Sequence, residues 1–267
     1  MKNDLAQEDP LRALRQWTDA RIGIGRVGAS APTQAVLDFT MDHARARDAI
    51  HAALPVERLT RELQGAGFSL LRAWSCAKDR AEYLRRPDLG RTLAPECRET
   101  LEQEPGEQGR AEQTRLLTVV VADGLSSLAP ARHALPLLER LRDGVQGWTL
   151  DSVVIATQAR VGLGDPIGAA RGAEATIVLI GERPGLKSAD SLGAYLTYNP
   201  RDGRTDAERN CVSNIRTGGL SYDLAASKLL HLLEGACLLG RSGVDLKDES
   251  GDGVLPDMRR ARAAVTS

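Results

Sequence analysis

The chain has 267 residues, 42% hydrophobic and 27% charged, and its 35 Lys and Arg against 36 Asp and Glu leave a net charge of -1. That balance excludes a mainly disordered chain and supplies apolar surface for one large domain or two small ones. With no basic excess and only 3% aromatics, neither phosphate contacts nor base stacking is expected, so nucleic acid is not a predicted partner.

No apolar run approaches the roughly 18 residues of a membrane helix, so no membrane is expected. The start, Met-Lys-Asn-Asp-Leu-Ala-Gln-Glu-Asp-Pro, lacks the apolar stretch of a secretory signal. Cysteines at 76, 97, 211 and 237 form no C-x-x-C pair and have no zinc spacing with histidines 43, 51, 133 and 231. They read as thiols of a reducing cytosol.

The first half reads as helices. Asp9 before Pro10 is an N-cap followed by Pro at the first helical position, with Leu11, Leu14 and Trp17 at helical spacing. Glycines 23, 25 and 28 make a turn. Pro32-Thr33 opens a second helix, with Val36, Leu37, Thr40, Met41 and Ala44 on one stripe. Residues 56–63 predict a third helix ended by Gly65, and 74–84 a fourth ended before Pro87. Residues 95–113 are rich in Glu, with Pro105, Gly106 and Gly109, and read as an exposed linker. The spacing predicts two domains, a helical one over 1–110 and a second over 111–267.

The second half alternates. Residues 116–122 (LLTVVVA) are apolar and β-branched, as in a strand buried on both faces. Residues 129–141 predict a helix, 153–157, 175–181 and 192–198 three strands, and 222–239 a long helix. The fold class is therefore α/β, with a mostly parallel sheet. Ligands of such sheets sit beyond the carboxyl ends of the strands.

Four stretches lie there: 123–127, 160–166, 181–186 and 209–216. All mix small residues with lone polar groups, and four together favour a ligand cleft over plain turn chemistry. Gly23-Ile-Gly25-Arg-Val-Gly28 matches a dinucleotide fingerprint, but no strand precedes it. Residues 181–188 follow a strand and nearly match a phosphate loop; Leu186 replaces its second Gly, and Pro184 removes an N–H. A stand-alone nucleotide-binding α/β protein with a degenerate loop at 181–188 is the alternative reading, and a ligand-free scaffold a third. There is no G-x-S-x-G and no H-E-x-x-H. His43 reads as a surface or helix contact, and His133 and His231 as structural. No His adjoins Cys211, which reads as an unreactive thiol rather than a nucleophile.

Longer motifs then stand in order. They are Thr18-Asp-Ala-Arg-Ile, Gly25-Arg26, Asp38-Phe39, Asp42-His43-Ala44, Arg47-Asp48-Ala49 and Val121-Ala-Asp-Gly-Leu-Ser126. After them come Gly181-Glu-Arg-Pro-Gly-Leu186, Ser191-Leu-Gly-Ala-Tyr195-Leu-Thr-Tyr198, Asp206-Ala-Glu-Arg-Asn-Cys211-Val-Ser-Asn-Ile-Arg216, Ser242-Gly-Val244 and Leu246-Lys247. Over roughly residues 12–248 the series resembles the ethanolamine ammonia-lyase small-subunit (light-chain) family.

The resemblance implies a subunit of an adenosylcobalamin-dependent carbon–nitrogen lyase that converts ethanolamine to acetaldehyde and ammonia. In the family, homolysis of the cobalt–carbon bond gives a 5′-deoxyadenosyl radical that abstracts substrate hydrogen. A TIM-barrel large subunit holds the substrate, so no catalytic residue is expected on this chain. The small subunit is expected to have a helical N-terminal part and a Rossmann-like C-terminal domain covering one face of the corrin at the interface. Six large and six small subunits form the assembly.

The family's cobalamin-contact positions fall on Val161, Glu182 and Cys211, flanked by Asp123, Arg160 and Asn210. Val161 and Cys211 suit the apolar ring, and Glu182 the amide fringe. There is no Asp-x-His-x-x-Gly, so cobalamin is expected to keep its own base on cobalt and this chain to add no metal ligand. The N-terminal helices are the expected contact with the large subunit. The expected location is the cytoplasm. Some relatives carry a longer N-terminal extension that directs them into a bacterial microcompartment, and that is the alternative location.

Overall fold

A computed structural model of the chain describes residues 6, 7, 9–18, 20–104 and 115–248. Strands β1 (Ala6–Gln7) and β2 (Arg26–Val27) pair antiparallel. Between them the predicted first helix is a 3-10 helix, Pro10–Gln16, capped by the Asp9 carboxylate, which accepts from the Leu11 N–H at 2.9 Å. Then follow α1 (Thr33–His51), α2 (Val56–Gly65), β3 (Leu70–Trp74), α3 (Arg80–Arg85) and α4 (Pro95–Gln103). Past the undescribed 105–114 come β4 (Arg115–Ala122), α5 (Leu128–Gly144), β5 (Trp148–Leu150), β6 (Val153–Thr157) and α6 (Gly164–Ala170). The chain continues with β7 (Ala175–Gly181), β8 (Leu192–Tyr198), β9 (Arg209–Ile215) and α7 (Tyr222–Leu239).

The sheet order is β3-β6-β4-β7-β8-β9, with β5 beside β4. Strands β3, β6, β4 and β7 are parallel to one another, while β8 and β9 return antiparallel. The α/β class with a mostly parallel sheet holds.

Alternation along the strands sorts the core into two layers. Leu117, Val119 and Val121 of β4 and Ile177 and Leu179 of β7 meet Leu59, Leu63, Leu137, Leu138 and Leu229 from α2, α5 and α7. Val120, Ala122, Val178 and Ile180 meet Cys97 and Leu101 of α4 and Leu163 and Ile167 beside and in α6. Helix α6 lies close on β7 because glycines face the strand. A Cβ on Gly164 would sit 2.3 Å from Val178 Cγ2, and one on Gly168 2.1 Å from Thr176 Oγ1.

Four expectations change. The segment 74–84 is not one helix: Trp74 ends strand β3, and only Arg80–Arg85 is helical, with Asp79 capping the Glu82 N–H at 2.8 Å. Strand β3 pairs with β6 from Leu70 to Trp74, so the chain before the Glu-rich stretch supplies an edge of the main sheet. Part of the expected linker is helix α4, whose Cys97 and Leu101 are buried while its glutamates face water. Finally, 209–215, read as a loop, is strand β9.

Candidate functional site

The stretches 123–127, 160–166 and 181–186 follow the carboxyl ends of β4, β6 and β7, whereas 209–215 runs the length of the sheet as β9 and brings only its Ile215 end beside them, and the small residues of the loops mainly serve one another. A Cβ on Gly124 would sit 2.3 Å from the Gly181 carbonyl, and one on Gly181 1.8 Å from the Ser126 carbonyl. The loops after β4 and β7 interlock there, and the Leu125 N–H donates to Gly181 O at 2.9 Å. Gly124 holds φ +59°, which an L side chain rarely adopts.

Asp123 anchors the next loop rather than a metal. Its carboxylate accepts from the N–H groups of Gly124, Gln158 and Ala159, each at 2.9 Å, and lies 3.4 Å from Arg80 Nη1. Burial pushes its pKa up, and the amide donors and Arg80 pull it back. These bonds hold Gln158 at φ 53° and aim the turn that carries Val161. Arg160 lies over the Tyr83 ring, 4.3 Å from its centroid, and donates to Tyr83 O at 3.2 Å. Asn210 serves the far side of β9: its Nδ2 donates to the Gly243 and Leu246 carbonyls, tying down the segment after α7.

Beyond the edge of α6, the sheet face over β8 and β9 exposes Cys211 and leaves Tyr195 half-buried, while Gly193, Thr197 and Arg209 on the same face are buried. There Gly193, Tyr195 and Thr197 alternate with the core residues Leu192, Ala194 and Leu196. Cys211 is the cross-strand partner of Tyr195, and Arg209 of Thr197. The face is framed by a buried bidentate pair, Arg209 Nη1 to Asp165 Oδ1 at 2.6 Å and Nη2 to Oδ2 at 2.8 Å, which ties α6 to β9. Burial is the leading influence on both groups. It pushes the Asp165 pKa up, with Arg209 pulling it back, and it opposes the rise that Asp165 produces in Arg209.

Of the three positions marked by the family resemblance, Glu182 and Cys211 lie beside Tyr195, and Val161 shares its apolar cluster. Val161 and Tyr195 are half-buried and pack on the same apolar cluster. Tyr195 and Cys211 are side by side across β8 and β9, close enough for each to shift the other's titration, and the Glu182 charge acts on both. Cys211 is exposed, yet desolvation at its sulfur pushes the thiol up; the Tyr195 hydroxyl pulls it back and Glu182 raises it further. A neutral thiol is a soft apolar surface and a poor nucleophile, as the sequence reading has it. Burial likewise drives the Tyr195 phenol well above its ordinary value.

Glu182 follows β7 directly. Its N–H donates to Ser191 O at 2.9 Å, and its carboxylate accepts from Ser191 Oγ at 2.5 Å. Ser191, Gly193 and Tyr195 belong to a motif that carried no assigned role in the sequence. The two-residue period of 192–198, laid beside 175–181, is the signal that puts Gly193 and Tyr195 next to Glu182.

The phosphate-loop alternative loses its structural support. Residues 183–191 turn back into antiparallel β8, so no helix N-terminus follows the strand to receive a phosphate. Lys187 instead reaches Asp42 of α1 at 2.8 Å.

The chain is thus an α/β protein whose loops after β4 and β7 interlock and whose Glu182, Gly193, Tyr195 and Cys211 come together on one face over β7, β8 and β9. The family model for "Ethanolamine ammonia-lyase light chain (EutC)" matches residues 8–247, and the chain belongs to that family. The ethanolamine ammonia-lyase small subunit of Azotobacter vinelandii is 51% identical over 247 residues, covering 92% of this chain and 90% of that protein. The small subunit of Bradyrhizobium diazoefficiens is 50% identical over 258 residues, 94% and 95% of the two chains. That of Pseudomonas fluorescens is 46% identical over 266 residues, 97% and 95%. Among the described residues, no helix is long and apolar enough to cross a membrane.

Proposed function

We propose that this chain helps hold adenosylcobalamin against a large catalytic subunit of ethanolamine ammonia-lyase. The observation that carries the reading is the half-buried Tyr195 with the exposed Cys211 paired beside it and the Glu182 carboxylate next to Gly193, Val161 packing on the same apolar cluster. A corrin is a flat apolar ring fringed with carboxamides. The side chain of Val161, the ring of Tyr195 and the neutral thiol of Cys211 offer it a floor of matching polarity, and Glu182 an acceptor for an amide N–H. Histidines 43 and 51 lie on α1, 133 on α5 and 231 on α7, so this face presents no imidazole to cobalt. The cofactor, once bound, supplies the radical chemistry that turns ethanolamine into acetaldehyde and ammonia. This chain's residues orient it and exclude water from one side.

The relatives are named small subunits, which supports a large-subunit partner; the proposed complex has six of each. The surface best suited to it lies before β3. Trp17 is 81% exposed, and Val36, Leu37, Phe39 and Met41 stand out along α1. Exposed large apolar side chains concentrated on one segment mark an interaction surface. In this division of labour the residues before 110 dock the large subunit, and the sheet after 111 carries the cofactor face.

The test is deamination of ethanolamine by the large subunit with adenosylcobalamin, with and without this chain. Acetaldehyde is expected only with both proteins; equal activity without this chain overturns the reading.

A further inference from the structure

Glu182 presents its two carboxylate oxygens very differently. Oε2 accepts from Ser191 Oγ at 2.5 Å and faces the Asn214 N–H at 3.4 Å. Ser191 is only 5% exposed, and its carbonyl is fixed by the Glu182 N–H at 2.9 Å, so the hydroxyl is aimed by backbone pairing. Oε1 receives no hydrogen bond from the described residues. It lies over Gly193, where a Cβ would sit 3.1 Å from Oε1, 3.2 Å from Glu182 Cγ and 3.1 Å from Tyr195 Cε2. The missing side chain at 193 leaves room for Oε1 beside the Tyr195 ring.

We propose that Ser191 is a positioning residue that pins Glu182 so that Oε1 alone faces the ligand, and that this pair selects a carboxamide over a carboxylate at the matching point of the ligand's rim. The inference rests on the reading that Glu182 touches the cofactor. An amide N–H completes the free oxygen. A ligand carboxylate at the same point sets two like charges together with no proton between them, and such mismatches discriminate strongly. Selection requires that Glu182 be held. A mobile carboxylate would swing Oε1 away from a like charge and lose most of the discrimination.

The test uses the complex of this chain with its large subunit. The probes are adenosylcobalamin and derivatives in which a single corrin carboxamide is hydrolysed to the acid. One derivative is expected to bind about 100-fold more weakly than adenosylcobalamin, a ratio in keeping with a like-charge mismatch. Glu182→Gln should bring that derivative within about tenfold, because the charge is gone. Ser191→Ala should weaken adenosylcobalamin about tenfold and narrow the gap for the same derivative only, whereas Ser191→Thr, which keeps the hydroxyl, should restore both. Gly193→Ala, which crowds Oε1, should act like Ser191→Ala without removing any hydrogen bond.

A purely structural role for Ser191 would weaken all derivatives alike and leave the ratio fixed; that result overturns the inference while leaving Glu182 at the cofactor. If Glu182→Gln changes no derivative's binding, the reading beneath it fails as well.

Discussion

Helices α1 and α5 are alike in length, 19 and 17 residues, and opposite in what they bury. Helix α5 buries seven residues, among them Leu137, Leu138 and Leu141, against the sheet and α7. Helix α1 buries only Asp42, Ala46 and Ala49, and leaves Leu37 and Met41 more than half exposed, at 58% and 55%. Both have an apolar stripe at helical spacing. Such a stripe says that a helix has something to cover, and not that its own chain provides it. On α5 the partner is the sheet; on α1 the apolar residues face outward while a buried carboxylate faces in.

The largest expected effect sharpens that contrast. Leu37→Glu with Met41→Glu should abolish co-purification with the large subunit while moving the melting temperature of the chain by no more than a degree or two, since exposed substitutions usually stay within ~0.5 kcal/mol. A stoichiometric complex of this variant would break the comparison. Leu138→Ala should do the reverse. Deleting a fully buried Leu costs about 2–5 kcal/mol, seen in denaturant unfolding, and the folded fraction should still bind the large subunit.

The smallest effect concerns the link between the two regions. Asp42 is held by Lys187, 2.8 Å away in the loop that follows Glu182, and by Arg21 at 2.5 Å. Lys187, and then Arg21 and Arg45, hold its carboxyl below the ordinary Asp range against the pull of desolvation. A depressed carboxylate pKa contributes stability above the unfolded value and loses it as the pH falls through the folded one. The link is therefore intact at neutral pH and is lost only as the pH falls through the depressed folded value, below the ordinary Asp range. Lys187→Met should weaken adenosylcobalamin binding by the complex a few-fold at pH 7, with subunit stoichiometry unchanged. An unchanged affinity would show that the loop holds its shape without α1.

What could be read from the sequence follows from how strongly each segment commits to one environment. Strands at 153–157, 175–181 and 192–198 and the helix at 222–239 fall where their apolar runs end. Edge strands are harder to see. Strand β3 carries Arg72 on its exposed side, and β9 (RNCVSNI) is half polar because one of its faces is open. Helix α4 hides behind its glutamates, since only Cys97 and Leu101 turn inward. At the candidate site, the pattern of strands and loops pointed to the carboxyl ends of the strands, where 161 and 182 lie, but not to the middle of β9, where Cys211 pairs with Tyr195. The choice of Val161, Glu182 and Cys211 came from the family resemblance. Ser191 and Gly193 went unassigned because the hydroxyl at the Glu182 carboxylate and the missing Cβ beside it matter only once β7 and β8 are paired, a pairing that the two-residue period alone hints at.

The most direct measurement is hydrogen exchange on this chain alone, then with the large subunit, then with adenosylcobalamin added. The account expects two separate footprints: protection of 10–17 and 33–51 on binding the large subunit, and further protection of 158–164, 181–193 and 209–215 on adding the cofactor. Cofactor-dependent protection confined to other segments, or large-subunit protection falling on α5 and α7, would contradict it.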